Sequence, residues 1–177
     1  MSGRLSMPRF QIPFRQAPWN KNRVLSAVLV TATLGATGLA VAAWRDHAAA
    51  AGREKTGQTC LAGATAAAQA IFSYDYRSFD ASVANGKAFT TGTFTAEYTE
   101  TTTNLKPVAE QQQAVVRAEV SAAGLIEART SEVDLLLYVN QYRRNVAITG
   151  EKVDQNRVVL TMTLDGGVCK VVKAAAI

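Results

Sequence analysis

The chain has 177 residues, enough for one folded domain with a hydrophobic core and too few to favour a second. Its formal net charge is +5, with 19 Lys and Arg residues against 14 Asp and Glu residues. Five of the basic residues and none of the acidic ones lie in residues 1–23, so residues 24–177 hold 14 of each sign. This balance excludes an extended basic face for nucleic acid outside the N-terminal tail.

A long uncharged segment follows the basic tail. Residues 24–44 read VLSAVLVTATLGATGLAVAAW, and a helix of this length crosses a hydrocarbon core of about 30 Å. Trp19 and Trp44 lie near its ends, where indole rings favour the membrane interface. A cleaved signal peptide is the alternative, but its apolar region spans only about 7 to 15 residues. The segment is therefore predicted to be an uncleaved transmembrane helix.

The charges on either side of this helix predict its orientation. Basic residues near a span are retained in the cytoplasm, and the five that precede this one have no acidic neighbours, whereas Arg45 after it is followed by Asp46. We expect the N-terminus inside the cytoplasmic membrane and the C-terminal domain outside it. The expected organisation is a disordered cytoplasmic tail at 1–23, a transmembrane helix at 24–44, a linker or helix continuation at 45–58, and an extracytoplasmic domain at 59–177.

The first part of the outside segment has the periodicity of helices. Apolar residues within 61–72 recur at three- and four-residue spacing, which predicts an amphipathic helix. Two shorter helices are expected after it. One covers 80–84 and ends at Gly86, and the other runs from 94 to about 105 and ends before Pro107.

The second part of the outside segment has the periodicity of strands. Residues 116–122, 133–139 and 158–164 alternate apolar and polar side chains, and the turn Asp-Gly-Gly leads into a last strand at 168–173. Helices followed by four antiparallel strands predict the α+β class. We expect an N-terminal transmembrane helix followed by a cone-shaped domain, with about three helices packed on a curved four-stranded antiparallel sheet.

The stretch YDYRSFD crowds tyrosines and aspartates together and raises the question of acid–base chemistry. Asp75 and Asp80 are interpreted as structural caps that accept free helix amides, with pairing to Arg77 as a second role for Asp75. A catalytic dyad of Asp75 with Tyr138 is the alternative. The single histidine, His47, follows the membrane span directly, and neither a phosphate loop nor a spaced set of metal ligands is present in the sequence. No catalytic, cofactor or metal site is predicted, and the protein is not expected to be an enzyme.

The two cysteines, Cys60 and Cys169, both fall in the outside segment. In an oxidising compartment, an even number of distant cysteines suggests a disulfide that closes a long loop. Two unpaired thiols that fill space in the core are the alternative.

A group of polar residues near the strands has uncharged amides that could bind a partner by edge pairing. Internal hydrogen bonds to neighbouring loops are the alternative for each of them. The candidates are Asn140, Gln141, Asp154, Gln155 and Asn156.

Several strings, in this order and behind a basic tail and a single span, resemble the actinobacterial Mce-associated membrane proteins. The strings are YDYRSFDASV, TTTNLKPVAEQQQAVVRAEV, LLLYVNQ and VDQNRVVLTMTLDGG. The resemblance covers about residues 60–177 and implies an outside domain similar to the nuclear-transport-factor-2-like cone and to the periplasmic domain of a type IV secretion inner-membrane component. One departure is Val168-Cys169, where members of that family usually carry a tryptophan.

The resemblance implies a non-enzymatic accessory subunit of an Mce-type lipid or sterol transport system, docked to Mce transporter subunits at the outer face of the cytoplasmic membrane. A membrane-anchored carrier of lipid or sterol is one alternative, and a small-molecule isomerase on the same fold is another. A carrier requires an apolar cavity, and an isomerase requires a buried ionisable group. An accessory subunit requires a filled core and an exposed apolar or edge-strand patch.

Overall fold

The computed structural model of the protein describes residues 21–177. Most of the predicted basic tail, residues 1–20, lies outside the described residues, and so does its predicted disorder. The chain divides into two compact units, of which the first ends at Arg45 and the second comprises Asp46–Ile177. Helix α1 begins at Lys21 and ends at Phe72.

The first unit contains the apolar part of α1. Its leucines, among them Leu29 and Leu34, are exposed, and the helix is long and apolar enough to cross a membrane. The hydroxyls of Thr33 and Thr37 donate hydrogen bonds to carbonyls of the preceding turn, so neither is unpaired in an apolar surrounding. An N-terminal apolar helix of this kind is typical of a single-pass membrane anchor.

The second unit confirms the predicted α+β class, with five strands in place of four. All neighbouring strands are antiparallel, and their order in the sheet is β1-β2-β3-β4-β5. After α1 the elements are β1 (Tyr74–Asp75), a 3-10 turn (Tyr76–Ser78), α2 (Phe79–Ala88), α3 (Thr93–Gln111), β2 (Val115–Ala128), β3 (Val133–Arg144), β4 (Lys152–Asp165) and β5 (Val168–Ala176).

The additional strand is β1, which pairs Tyr74 with Val116 and Asp75 with Val115. A strand of two residues has no alternation that the sequence could reveal. Its pairing fixes the corner between α1 and α2 to the edge of the sheet.

The predicted ends of the two short helices are wrong. Helix α2 continues through Gly86, and α3 continues past the exposed Pro107 to Gln111. Gly86 lies where α2 approaches its neighbours closely, because a Cβ atom there would overlap the hydroxyl of Tyr98 and lie 2.9 Å from the carbonyl oxygen of Ala70. The glycine thus permits close packing within the helix and does not form a turn.

The core lies between α1 and one face of the sheet, here called the inner face. Ala64, Ala67 and Ala68 of α1 are completely buried against it. Their small side chains bring the helix close to the strands. The strand residues that complete the core are Val133, Leu135, Leu137, Val139, Val158, Leu160, Met162 and Val171.

A disulfide joins α1 to the last strand. Cys60 and Cys169 are both buried and are separated by 109 residues in the sequence. Such a bond restricts the unfolded chain, an effect worth about 2 to 5 kcal/mol. It holds α1 on the inner face at the end of the sheet where β4 turns into β5.

We predict that the unreduced full-length protein, purified in detergent from its own membrane, contains no alkylatable thiol. Reduction should expose two thiols and increase the mass by two hydrogens. Mass spectrometry after denaturation and alkylation, with and without reductant, measures both quantities. Two alkylated cysteines in the unreduced protein would disprove the bond.

Two glycine-to-alanine substitutions test the packing of α2. Gly86→Ala should lower the free energy of unfolding by about 1 to 3 kcal/mol, because the added methyl group meets backbone and ring atoms. Gly63→Ala in α1 is the matched control, since a Cβ atom there meets nothing within 4 Å. It should be neutral or stabilise by up to about 1 kcal/mol. Denaturant unfolding followed by circular dichroism makes the comparison, and equal effects of the two substitutions would refute the close approach.

Candidate interaction surfaces

The YDYRSFD corner has a structural role in which Asp75 is central. The Asp75 carboxylate is the N-cap of the 3-10 turn and accepts a hydrogen bond from the amide of Arg77 at 3.0 Å. It also accepts hydrogen bonds from the Arg77 guanidinium, with 3.0 Å between Nε and Oδ1. These side-chain hydrogen bonds, followed by the backbone one, lower the pKa of Asp75. The carboxylate therefore remains ionised and holds the turn.

Asp80 does not cap a helix in the way the sequence predicts. Ser78 occupies the N-cap position of α2, and Asp80 lies within the first helical turn, where a negative charge is favourable. Its carboxylate accepts hydrogen bonds from Lys106 Nζ at 2.6 and 2.8 Å, and this contact raises the pKa of Lys106. Asp80 therefore connects α2 to α3.

The structure does not bring Asp75 and Tyr138 together as a dyad. Asp75 on β1 pairs with Val115 on β2, and Val115 in turn pairs with Arg144 on β3. Tyr138 lies six positions earlier on β3, about 20 Å along the strand. Its side chain also points away from the core face on which its neighbour Leu137 is buried. The two groups therefore cannot share a proton in this arrangement.

The five predicted partner-binding residues are divided between the two faces of the sheet. Gln141, Asp154 and Asn156 lie on the inner face, where Asn156 Nδ2 donates to Gln141 Oε1 at 2.9 Å. The Gln141 amide in turn points at the carbonyl of Phe72, at 3.5 Å, and Asp154 forms an ion pair with Arg143. These three polar side chains have internal partners.

Asn140 and Gln155 face each other on the opposite side of the sheet, here called the outer face. The adjacent cross-strand pair on this face is Tyr138 with Arg157. We call these four residues the outer-face patch. None of the four side chains forms a hydrogen bond or an ion pair with another residue in the described part of the chain. The sequence analysis missed Arg157, although its place before the buried Val158 puts it on the outer face.

Two other arginines near the outer face are neutralised by carboxylates. Arg129 Nη1 lies 2.7 Å from Glu127 and 2.7 Å from Asp134, and Arg129 Nη2 lies 3.3 Å from Glu132. The hydrogen bond from Arg129, more than that from Thr161, lowers the pKa of Asp134. This cluster closes the hairpin between β2 and β3.

The second of these arginines is Arg117 on β2. Its guanidinium forms an ion pair with Glu119 and lies 4.5 Å from the ring centre of Tyr142. Both of its favourable interactions, ionic and cation–π, are therefore made within the chain.

A second candidate surface is a cleft of about 440 Å³ between the end of α1, α2 and α3. Its walls are mainly apolar and include several aromatic rings, and Gln141 and Ala174 contribute from the sheet. Burial raises the pKa of Tyr98 in this cleft, and burial likewise raises that of Tyr74 against an opposing effect of Arg143. Both phenols therefore stay neutral near pH 7. The aromatic residues are Phe72, Tyr74, Phe79, Phe94 and Tyr98.

Comparison with known proteins finds similarity in fold alone. Neither a protein-family model nor a curated protein sequence matches the chain. An IcmL-like type IV secretion system protein from Legionella pneumophila is 17% identical, with a TM-score of 0.54 over 66% of this chain and 90% of that one. CagV, a VirB8 homolog from Helicobacter pylori, is 10% identical, with a TM-score of 0.55 over 67% of this chain and 96% of that one. The periplasmic domain of DotI is 14% identical, with a TM-score of 0.55 over 66% of this chain and 91% of that one.

These structures overturn the assignment to the Mce-associated family. The fold is that of type IV secretion periplasmic domains, so the nuclear-transport-factor-2-like cone, the lipid or sterol transport role and the Mce partners are all withdrawn. Two of the strings behind the assignment have structural roles in this chain. YDYRSFD forms the corner, and Gly166 and Gly167, with φ of 59° and 86°, form the last hairpin turn.

The charge cluster at Arg129 predicts a dependence of stability on pH. The pKa of Asp134 lies below its ordinary value of 3.8. The ionised carboxylate therefore stabilises the folded protein fully above pH 3.8, and this stabilisation is lost as the pH falls through the folded-state pKa. Asp134→Asn should therefore lower the melting temperature at pH 7, and its difference from the parent protein should narrow below about pH 4.

Thermal unfolding of the full-length protein at pH 7 and pH 3 provides the measurement. Glu100→Gln is the control, because Glu100 is exposed on α3 and has no ion pair within residues 21–177. The free energy of unfolding of Glu100→Gln should lie within about 0.5 kcal/mol of that of the parent protein at pH 7. A constant difference between Asp134→Asn and the parent from pH 7 to pH 3 would contradict the role of the cluster.

Proposed function

We propose that this chain is a membrane-anchored, non-enzymatic structural component of a multiprotein secretion machine in the cell envelope, similar to VirB8-type proteins. The observation that carries the proposal is the extent of the structural match. The three proteins are covered over 90%, 96% and 91% of their length, so the likeness includes nearly the whole of each domain, and two of them are named as a type IV secretion system protein or as a homolog of one.

The closed inner face supports a role without chemistry. Helix α1 fills it with buried alanines, and among residues 21–177 the buried polar side chains are Thr90 and Thr102, both hydrogen-bonded through their hydroxyls. A general acid or base requires an ionisable group held beside a substrate. The arrangement favours binding through the surface.

The proposed orientation places the N-terminus in the cytoplasm and the folded domain outside. It is supported by the basic residues of the N-terminal tail and the apolar stretch of α1 that follows them, because basic residues next to a span generally stay on the cytoplasmic side. A disulfide between Cys60 and Cys169 is also compatible with an oxidising compartment outside the membrane. Anchoring confines the domain to the membrane surface, where a second envelope protein meets it at a high effective concentration.

Cross-linking in the native host tests the proposal. The full-length protein, tagged at either end, is cross-linked in intact cells, purified under denaturing conditions and analysed by mass spectrometry. We expect other envelope subunits of a secretion machine among its partners, and we expect protease added to spheroplasts to remove the C-terminal tag and spare the N-terminal one. The control is the first 45 residues fused to an unrelated exported domain.

Two outcomes would contradict the proposal. One is recovery of the same proteins with the control fusion as with the full-length chain. The other is an N-terminal tag that protease removes from spheroplasts while the C-terminal tag stays protected.

A further inference from the structure

Within the second unit, neither α2 nor α3 packs on the outer face of β3 and β4. Buried residues of these strands alternate with exposed ones, and all of the buried positions belong to the core that α1 covers. The intervening residues therefore point the other way. Tyr138, in the middle of β3, keeps 45% of its surface exposed between the buried Leu137 and Val139.

The outer-face patch is a compact group of complementary polar side chains. Tyr138 is directly opposite Arg157, and Asn140 is directly opposite Gln155. Side chains in such cross-strand pairs have Cβ atoms about 5 Å apart. The four residues line a depression of about 300 Å³ together with Ser121.

The strand beside the patch is shaped to leave this depression open. The register of β2 against β3 shifts between Val120 and Ala122, which makes Ser121 the extra residue of a bulge. Ser121 Oγ donates a hydrogen bond to the carbonyl of Tyr138 at 3.2 Å. The β2 side chains that border the patch are Glu119, which lies opposite Asn140 and is paired with Arg117, and the small Ala122, which lies opposite Tyr138.

The charge of the patch is uncompensated. Arg157 has no carboxylate partner within the described residues, whereas Arg117 on β2 and Arg129 in the β2–β3 hairpin are paired. Asn140, Gln155 and Tyr138 are neutral and offer both donors and acceptors. A ligand that fits this group brings one negative charge and several backbone-like hydrogen-bonding groups.

We propose that the outer-face patch binds an extended, acidic peptide segment of another envelope protein. Arg157 receives an Asp or Glu carboxylate in a two-point hydrogen bond, the geometry for which a guanidinium is suited. Asn140 and Gln155 bind the peptide backbone, and Tyr138 packs against the segment. Tyr and Arg are the residue types that contribute most to protein interfaces.

Other occupants fit less well. A phosphate polymer or an anionic membrane requires several cations, and the patch has one. The N-terminal tail of this chain has five basic residues and no acidic one, so it does not complement Arg157. The inference rests on the proposed function, because a docking domain needs a docking surface, but its test is separate.

Peptide binding by the full-length protein in detergent tests the inference. The probes are two fluorescein-labelled octapeptides, one of alternating Glu and Ser and one of alternating Gln and Ser, both capped at their ends. Fluorescence anisotropy should show the Glu peptide binding at least about tenfold more tightly, a difference of about 1.4 kcal/mol. Arg157→Gln should remove that preference, and Arg157→Lys should retain part of it.

Lys87→Gln is the matched control, because Lys87 is an exposed cation of α2 without an ion pair in the described chain. It should leave the preference unchanged. All variants are first compared by melting temperature, and Asn140→Ala provides a second test that leaves Arg157 in place. Asn140→Ala should weaken the binding of both peptides by a similar factor.

Three results would overturn the inference. They are equal binding of the two peptides, an unchanged preference in Arg157→Gln, and a change of oligomeric state in Arg157→Gln, which would make a second copy of the chain the occupant. If Arg157→Gln still cross-links to the secretion subunits in cells, the proposed function survives and the peptide site fails. If the parent protein itself forms no cross-links to secretion subunits, the proposed function is wrong.

Discussion

The contact between α1 and the inner face of the sheet is the interaction on which the rest of the structure depends. Three completely buried alanines, Ala64, Ala67 and Ala68, let the helix approach the large apolar residues of β3 and β4. Each square ångström of apolar surface removed from water stabilises the fold by about 25 cal/mol. Without α1, the inner face would expose a continuous apolar surface, which monomeric soluble domains rarely tolerate.

This contact also determines where the protein can act. Helix α1 fills the apolar part of the inner face, and the depression on the outer face and the apolar cleft beside α2 and α3 lie outside this contact. The disulfide strengthens the same contact by tying Cys60 of α1 to Cys169 of β5. Lys87 and Arg157 both lack an ion pair in the described part of the chain, but Arg157 is the one that lies in the outer-face patch.

Elements with a regular spacing of apolar residues can be predicted from the sequence. Features that depend on residues far away in the chain cannot. Alternation identified β3 and β4 because every second residue is buried, whereas β1 has two residues and no period. Gly86 looked like a helix end because glycine often forms turns, and its actual role depends on Tyr98 and Ala70, which no local pattern reveals. The same reason explains the error over Asp80, whose partner Lys106 is 26 residues away.

The site was predicted only in part for a related reason. The five polar candidates were chosen as one group, but the strand register sends Gln141 and Asn140 to opposite faces. The alternative of an Asp75–Tyr138 dyad likewise left out the strand register, which separates the two residues along β3. Two of the short strings that suggested a family form a corner and a hairpin turn of this fold, and neither carries a function by itself.

Site-specific photo-cross-linking in the native membrane is the most direct test of the claim that this domain works through its outer face. A photoreactive amino acid replaces Tyr138 on the outer face and, in a second strain, Glu100 on α3. The account predicts that the probe at position 138 captures an acidic segment of a different envelope protein, that Arg157→Gln abolishes this product, and that the probe at position 100 does not form it. The same product from position 100, or a product at position 138 that survives Arg157→Gln, would contradict the account.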